Sequence, residues 1–376
     1  MNKKGFISIS VVYSFFLVFI AIVLSILAAY SSRRYMLIGI KDDIRNVIDG
    51  KTTYNCFSKG ITKLNDCIID IYGGKEYIES QESPDFSVAT VAGEQGLYSI
   101  EDDLGKSYYF RGDVKNNYVM FGQDDDGKDM YWRIVRINGD GTIRLIYDGY
   151  NALENGYNPE SCIEYNYYNN ASNLSKYVGY TYNDGTGKQI NSTIKNIVDN
   201  WYENNLMDYY SEYLADGIFC NDRSLDSSAI DYASDQRVIN SVYNSIKCTN
   251  KADRYTMDDV INGNGNLTYP IAILSVDEIA IAGASIHSSN ETMYLNRDGI
   301  WTMTPTYYSS FPNRTALWIF SSAGNISHYY DEYDIVYFAD KIKLGIRPVI
   351  NLKANVEIKK GNGTISSPFV LEEVNF

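Results

Sequence analysis

Between Phe6 and Tyr30 the chain reads FISISVVYSFFLVFIAIVLSILAAY, and no charged residue occurs from Gly5 to Ser32. A helix of about 20 apolar residues crosses a bilayer core, so this run predicts a membrane span. Past Arg33 and Arg34 the pattern changes but does not stop. Tyr35, Met36, Leu37, Ile40, Ile44, Val47 and Ile48 recur at three- and four-residue spacing among Lys41, Asp42, Asp43 and Arg45. That period predicts one continuous helix to about Asp49, apolar in its first half, amphipathic in its second and closed by Gly50. At 1.5 Å per residue its length is roughly 65 Å. A cleaved secretory signal is the competing reading. Its apolar region runs only about 7 to 15 residues to a small-x-small site, and Ala28 and Ala29 make a poor one.

Residues 51–114 are polar and read as a small connecting module, closing in the acidic stretch Glu101-Asp102-Asp103-Leu104-Gly105. From 115 to 376 the pattern becomes that of an α+β domain. Tyr118–Phe121, Tyr131–Ile137 and Thr142–Tyr147 read as strands, the last two joined by the turn Asn138-Gly139-Asp140-Gly141. Alternating apolar residues on both sides of an Asn-Gly turn predict a β-hairpin. Arg133, Arg136 and Arg144 fall within it and require a partly wet or paired surface. Residues 150–190, rich in Tyr, Asn and Gly, read as a long surface loop. Helices are expected over Ile190–Leu214, with Trp201 on the apolar face, and over Ala229–Lys247. Tyr269–Ser275, Trp301–Pro305, Ala316–Phe320 and Gly345–Leu352 are further strand candidates, and Ser275 and Glu278 have capping-box spacing.

Composition narrows the function classes. A formal charge of −14, without a cluster of Lys and Arg, excludes a nucleic-acid partner. Only two histidines, His287 and His328, are present, which argues against histidine catalysis or a histidine metal site. The five cysteines contain no C-x-x-C pair. Cys56 with Cys67 and Cys220 with Cys248 are spaced to close short disulfide loops if the domain is extracellular, leaving Cys162 over. The alternative is that some or all are buried thiols packed as small apolar side chains. Lys3 and Lys4 precede the span and Arg33 and Arg34 follow it, so flanking charge does not fix orientation. The cysteines and the size of the following domain place it outside the cell.

The segment Met1-Asn2-Lys3-Lys4-Gly5, the apolar start at Phe6 and the two-part helix together resemble a type IV pilin or pseudopilin. The resemblance covers about fifty residues. It implies cleavage between Gly5 and Phe6 by a prepilin peptidase, methylation of Phe6 and association with other pilin-like subunits. The family's fifth mature residue is normally Glu; here it is Ser10, a departure that points to a minor or tip subunit or to a pilin-like protein that does not polymerise. An uncleaved signal anchor is the alternative.

Tyr131-Trp-Arg-Ile-Val135, Phe219-Cys-Asn-Asp-Arg223, Pro270-Ile-Ala-Ile-Leu-Ser-Val-Asp-Glu278, Trp301-Thr-Met-Thr-Pro305 and Gly345-Ile-Arg-Pro-Val-Ile350, in that order, resemble a bacterial surface domain related to sulfatase-modifying factors and C-type lectins. The resemblance implies a compact α+β core with sparse regular structure, long loops and its first and last strands side by side. Enzymes of the sulfatase-modifying branch use a cysteine pair near the C-terminus, and no cysteine follows Cys248. That argues against the activity.

Asp124-Asp-Asp-Gly-Lys-Asp129 invites a calcium reading but lacks EF-hand spacing, and a solvated acidic turn accounts for it. Asn262–Asn266 reads as a turn, and Asp277 with Glu278 suits a helix start. No catalytic residue, metal or cofactor emerges. Tyr307, Tyr308, Tyr329 and Tyr330 remain as a candidate carbohydrate- or protein-binding face, the tryptophans being assigned to the core. The expected function is a membrane-anchored, pilin-like surface protein presenting a lectin-like head for adhesion or ligand binding. A membrane-anchored extracellular enzyme and a structural coat protein are the rivals.

Overall fold

A computed structural model describes residues 9–48, 52, 54–170, 179–183, 188–225, 232–309, 314–328 and 338–372. The chain forms two compact units, Met1–Thr53 and Tyr54–Phe376.

The first unit is helix α1, Ile9–Ile48, a single element of 40 residues. Every residue from Ile9 to Met36 is exposed, Phe15, Phe16 and Phe19 among them. An apolar surface of that size is unfavourable in water and favourable in lipid. Ser14 and Ser25 donate their hydroxyls to the carbonyls of Ser10 and Ala21, at 3.0 and 2.8 Å, which satisfies these polar groups within the helix. α1 is therefore one helix long and apolar enough to span a membrane. Gly5, Phe6, Asp49 and Gly50 lie outside the described residues.

The second unit is mixed α+β and rich in sheet. It opens with α2 (Leu64–Ile71) and α3 (Lys75–Glu79). Strands β1 (Gln95–Asp102), β2 (Gly105–Gly112), β3 (Tyr118–Gln123), β4 (Asp129–Ile137) and β5 (Ile143–Gly149) follow. The predicted hairpin is β4–β5, with Gly141 at φ +88° in its turn, a conformation that favours glycine. β4 is the hub of the larger sheet. One edge pairs with β5, while the other pairs with β3 near Trp132 and with β2 near Ile137. β5 is buried along its whole length and β4 along most of it, because both faces of the sheet are covered.

Within the stretch 51–114, β2 joins β4 and the α2 region is tied to the far end of the chain. The amide of Leu64 donates to Val356 O and that of Ile358 to Thr62 O. The strand Phe369–Leu371 lies parallel to β3, pairing Phe369 with Val119. A second sheet contains Ile300–Ser309, Arg314–Phe320, Ile326–Ser327, Leu344–Ile346 and Glu164–Asn166. The run expected as one strand over Gly345–Leu352 is two. Leu344–Ile346 belongs to the second sheet and Val349–Leu352 to the first, with the break at Arg347 and Pro348. Proline has no amide proton for a ladder, and the Arg347 side chain turns to donate to Tyr147 O, Leu295 O and Asp148.

The helical expectations shorten. Ile190–Leu214 resolves into α4 (Thr193–Asn205), whose Lys195 amide is capped by Ser192 Oγ at 3.1 Å, and the single turn α5 (Met207–Tyr210). Among the described residues of Ala229–Lys247 the helix is α6 (Ala233–Ile239), followed by Ser241 at φ +53°. The 150–190 loop contains the strand Glu164–Asn166 and the hairpin of Thr181–Asn183 with Gln189–Asn191. The capping box forms as expected at α7 (Val276–Ile281). Both disulfides, Cys56–Cys67 and Cys220–Cys248, are present, and Cys162 is unpaired.

Candidate functional site

The arginines of the β4–β5 hairpin are buried and partnered, not wet. Asp148, with no exposed surface, takes Arg297 on both carboxylate oxygens at 2.8 and 2.7 Å, and Arg347 at 2.9 Å. Arg133 lies 3.8 Å from the Tyr118 ring centroid and donates to Asn117 Oδ1 at 2.7 Å. Burial pushes the Asp148 carboxyl up, but Arg297 and Arg347 outweigh it and hold the group below the usual carboxylate range. A second cluster joins Glu278 to Arg144 and Arg136, and Arg136 to Asp102 at 2.7 Å. The Glu278 carboxyl is likewise raised by burial and lowered further by Arg144 and Arg136. Glu278 thus closes the capping box and anchors two arginines, more than the helix-start role expected of it. Asp277 pairs with Arg237 at 2.6 Å. These charges hold elements together, and burial with the arginine partners accounts for the perturbed acidity of Asp148 and Glu278.

His328 is buried against Trp318 with ring centroids 4.7 Å apart, and burial pulls its imidazole down to about 4, so it is neutral at physiological pH. Cys162 is half-buried, and that burial pushes its thiol up more than Arg347 pulls it down. A thiol held protonated is a poor nucleophile.

Accessible chemistry gathers elsewhere, in an open hollow of about 460 Å³ at one end of the larger sheet. The β3–β4 turn supplies Asp124, Asp125, Asp126 and Lys128; the end of β5 supplies Tyr147 and, just beyond, Tyr150; α4 supplies Trp201 and Asn205; and the turn after Asn158 supplies Glu160 and Cys162. The turn is rigid. Asp124 Oδ1 accepts the amides of Asp126 and Lys128 at 3.1 and 2.8 Å, and Gly127 sits at φ +75°. Asp124 is therefore occupied by its own backbone, while Asp125, Asp126 and Lys128 are exposed. Among the described residues no group of three or more His, Cys, Asp or Glu side chains is arranged to hold a metal ion.

The walls of the hollow are aromatic. Trp201 meets Tyr147 edge to face at 5.3 Å and Trp132 at 6.1 Å, and Tyr147 meets Tyr150 at 6.1 Å. Trp132 and Tyr147 are buried, whereas Trp201 and Tyr150 are half-buried and face the opening. The Lys128 ammonium lies 3.9 Å from the centroid of the Tyr150 ring. Burial pushes the pKa of both phenols up, so they stay protonated.

Of the residues singled out in sequence, the two cysteine pairs are brought together as expected. Tyr307 and Tyr308 fall in the strand Ile300–Ser309, their side chains outside the described part, and Tyr329 and Tyr330 lie outside the described residues. Trp132, Trp301 and Trp318 are core residues. Trp201 is the exception, and with Tyr147 and Tyr150 it was missed as a site residue. The available signal was its position: Trp201 and Asn205 stand four apart on α4, so they share a face, and both are half-exposed. Compared with known protein families, curated proteins and solved structures, the chain matches none.

Proposed function

We propose that this chain is a membrane-anchored surface protein whose globular unit binds a ligand through the aromatic hollow. The observation that carries the reading is that the half-buried Trp201 and Tyr150 line one hollow, each against Tyr147, beside the exposed carboxylates of Asp125 and Asp126. Rigid aromatics with polar tips give contact area at low entropic cost, which suits recognition. Helix α1 supports the anchor, and two disulfides support an oxidising compartment on the outer side. The saturated ion pairs of the interior favour binding over catalysis.

Within this reading the protein is a pilin-like minor or tip subunit with a lectin-like head. The side-by-side strands at the two ends of 115–376, β3 and Phe369–Leu371, support the second half of that description. Mass spectrometry of the mature protein tests the first: a chain beginning at methylated Phe6 is expected, and an intact Met1 removes the pilin assignment. For the hollow, cells displaying the full chain are expected to lose surface adhesion when Trp201 and Tyr150 are both replaced by Ala. Unchanged adhesion by a folded variant overturns the site. Replacing Tyr307, Tyr308, Tyr329 and Tyr330 together by Ala tests the other face in the same assay.

A further inference from the structure

The hollow carries a chemical bias that narrows its ligand. Four carboxylates, Asp124, Asp125, Asp126 and Glu160, line it against the single ammonium of Lys128. Low-dielectric aromatic walls beneath an acidic rim focus that negative potential toward the opening. The rings stand edge to face, with interplanar angles of 63° for Tyr147 with Trp201 and 85° for Tyr147 with Tyr150. Tyr147 is buried, so the accessible ring surface is that of the half-buried Trp201 and Tyr150 set steeply against it, which makes no flat stacked platform for a pyranose. Such ring faces, with carboxylates nearby, suit a compact cation.

The protein already demonstrates the fit. Lys128 is exposed, could extend its ammonium into water, and instead sets it over the Tyr150 face. It stands where a ligand's ammonium would stand. We propose that the hollow is an alkylammonium-binding site, taking a lysine side chain of a basic peptide segment on a partner protein, with Lys128 as an internal occupant that the incoming ammonium displaces. The proposal rests on the reading of the hollow as the recognition site and adds its ligand class. Asp125 and Asp126 then pair with the arriving charge, the Tyr150 and Trp201 faces hold the ammonium and its methylene stem, and Lys128 swings to solvent.

Calorimetric titration of the full chain in detergent micelles with tetralysine tests this. Binding is expected, weakened about tenfold by Tyr150→Leu and by the pair Asp125→Asn with Asp126→Asn. Lys128→Gln is expected to strengthen it several-fold, because an internal competitor has gone. Lys75→Gln makes the same charge change at an exposed residue that does not line the hollow, and should leave affinity nearly unchanged. Failure of tetralysine to bind overturns the proposal, as does equal strengthening by the two Lys variants, which would mean long-range attraction to an acidic protein and no local site. Should Trp201→Ala prove misfolded by circular dichroism, the surface variants decide alone. A glucosamine tetramer is the parallel probe. If it binds, is lost in Trp201→Ala and tetralysine does not bind, the hollow stands as a recognition site and the lysine assignment falls.

Discussion

Around Asp148 and Glu278, carboxylates and guanidiniums are sealed from water and held by partners; around the β3–β4 turn, Asp125, Asp126 and Lys128 stand in solvent beside half-buried rings. Both regions border β5, and both are built from acids, bases and aromatics. They differ in whether a charge still has bonding capacity to offer. Inside, each carboxylate oxygen of Asp148 accepts from an arginine. At the rim, the carboxylates of Asp125 and Asp126 face open volume. Charge density alone therefore does not separate the two regions, and the unspent valence does.

The sharpest way to break the comparison is to remove the interior carboxylate. Asp148→Asn leaves Arg297, Arg347 and Arg133 buried around a neutral amide, and a loss of about 3–5 kcal/mol is expected in urea denaturation. A loss no larger than a surface mutant's would mean that the cluster is not sealed. The same residue sets a pH dependence. Because the folded-state carboxyls of Asp148 and Glu278 are held below their unfolded values of about 4, the stability they contribute is fully present above that range and is lost as pH falls through the lower folded values. The parent is thus expected to lose stability more steeply below pH of about 4 than Asp148→Asn does, and parallel acid limbs would contradict an ionised Asp148.

Next in size are the disulfides. Replacing either cysteine pair by Ser is expected to cost about 2–4 kcal/mol, more for Cys220–Cys248 because its 28-residue separation exceeds the 11 of Cys56–Cys67. The smallest effect sharpens the contrast most. Asp125→Asn with Asp126→Asn should move stability by less than about 0.5 kcal/mol in the same urea experiment while weakening ligand binding. A large stability change there would place the rim with the interior.

Local signals made part of this fold legible. The Asn138-Gly139 turn between alternating residues marked the β4–β5 hairpin, and Ser275 with Glu278 marked the cap of α7. Neighbouring cysteines found their partners for the same reason. What escaped was set by contacts between distant residues. The apolar run Gly345–Leu352 looks continuous because nothing nearby reveals that Arg347 reaches Asp148 across 199 positions. The tie between the small module read over 51–114 and the strands that follow was not legible, because the β2–β4 pairing is not written in either strand alone. The hollow was hidden for a related reason. Trp201 satisfies the helical apolar period of α4 whether it faces a core or an opening, and only the arrival of Tyr150 and the β3–β4 turn distinguishes the two.

The parallel strand Phe369–Leu371 bears on how the protein is made. It occupies the free edge of β3, one strand from the hub of the larger sheet. Its pairing partner is translated long before it, and synthesis proceeds at about 5–20 residues per second. The sheet therefore closes last beside β3, near one of its edges, after α2, the β4–β5 hairpin and both disulfide loops have emerged. Non-local closure of this kind is slow and leaves strand edges open in the interim. The edge of β3 therefore stays open until residue 369 has appeared.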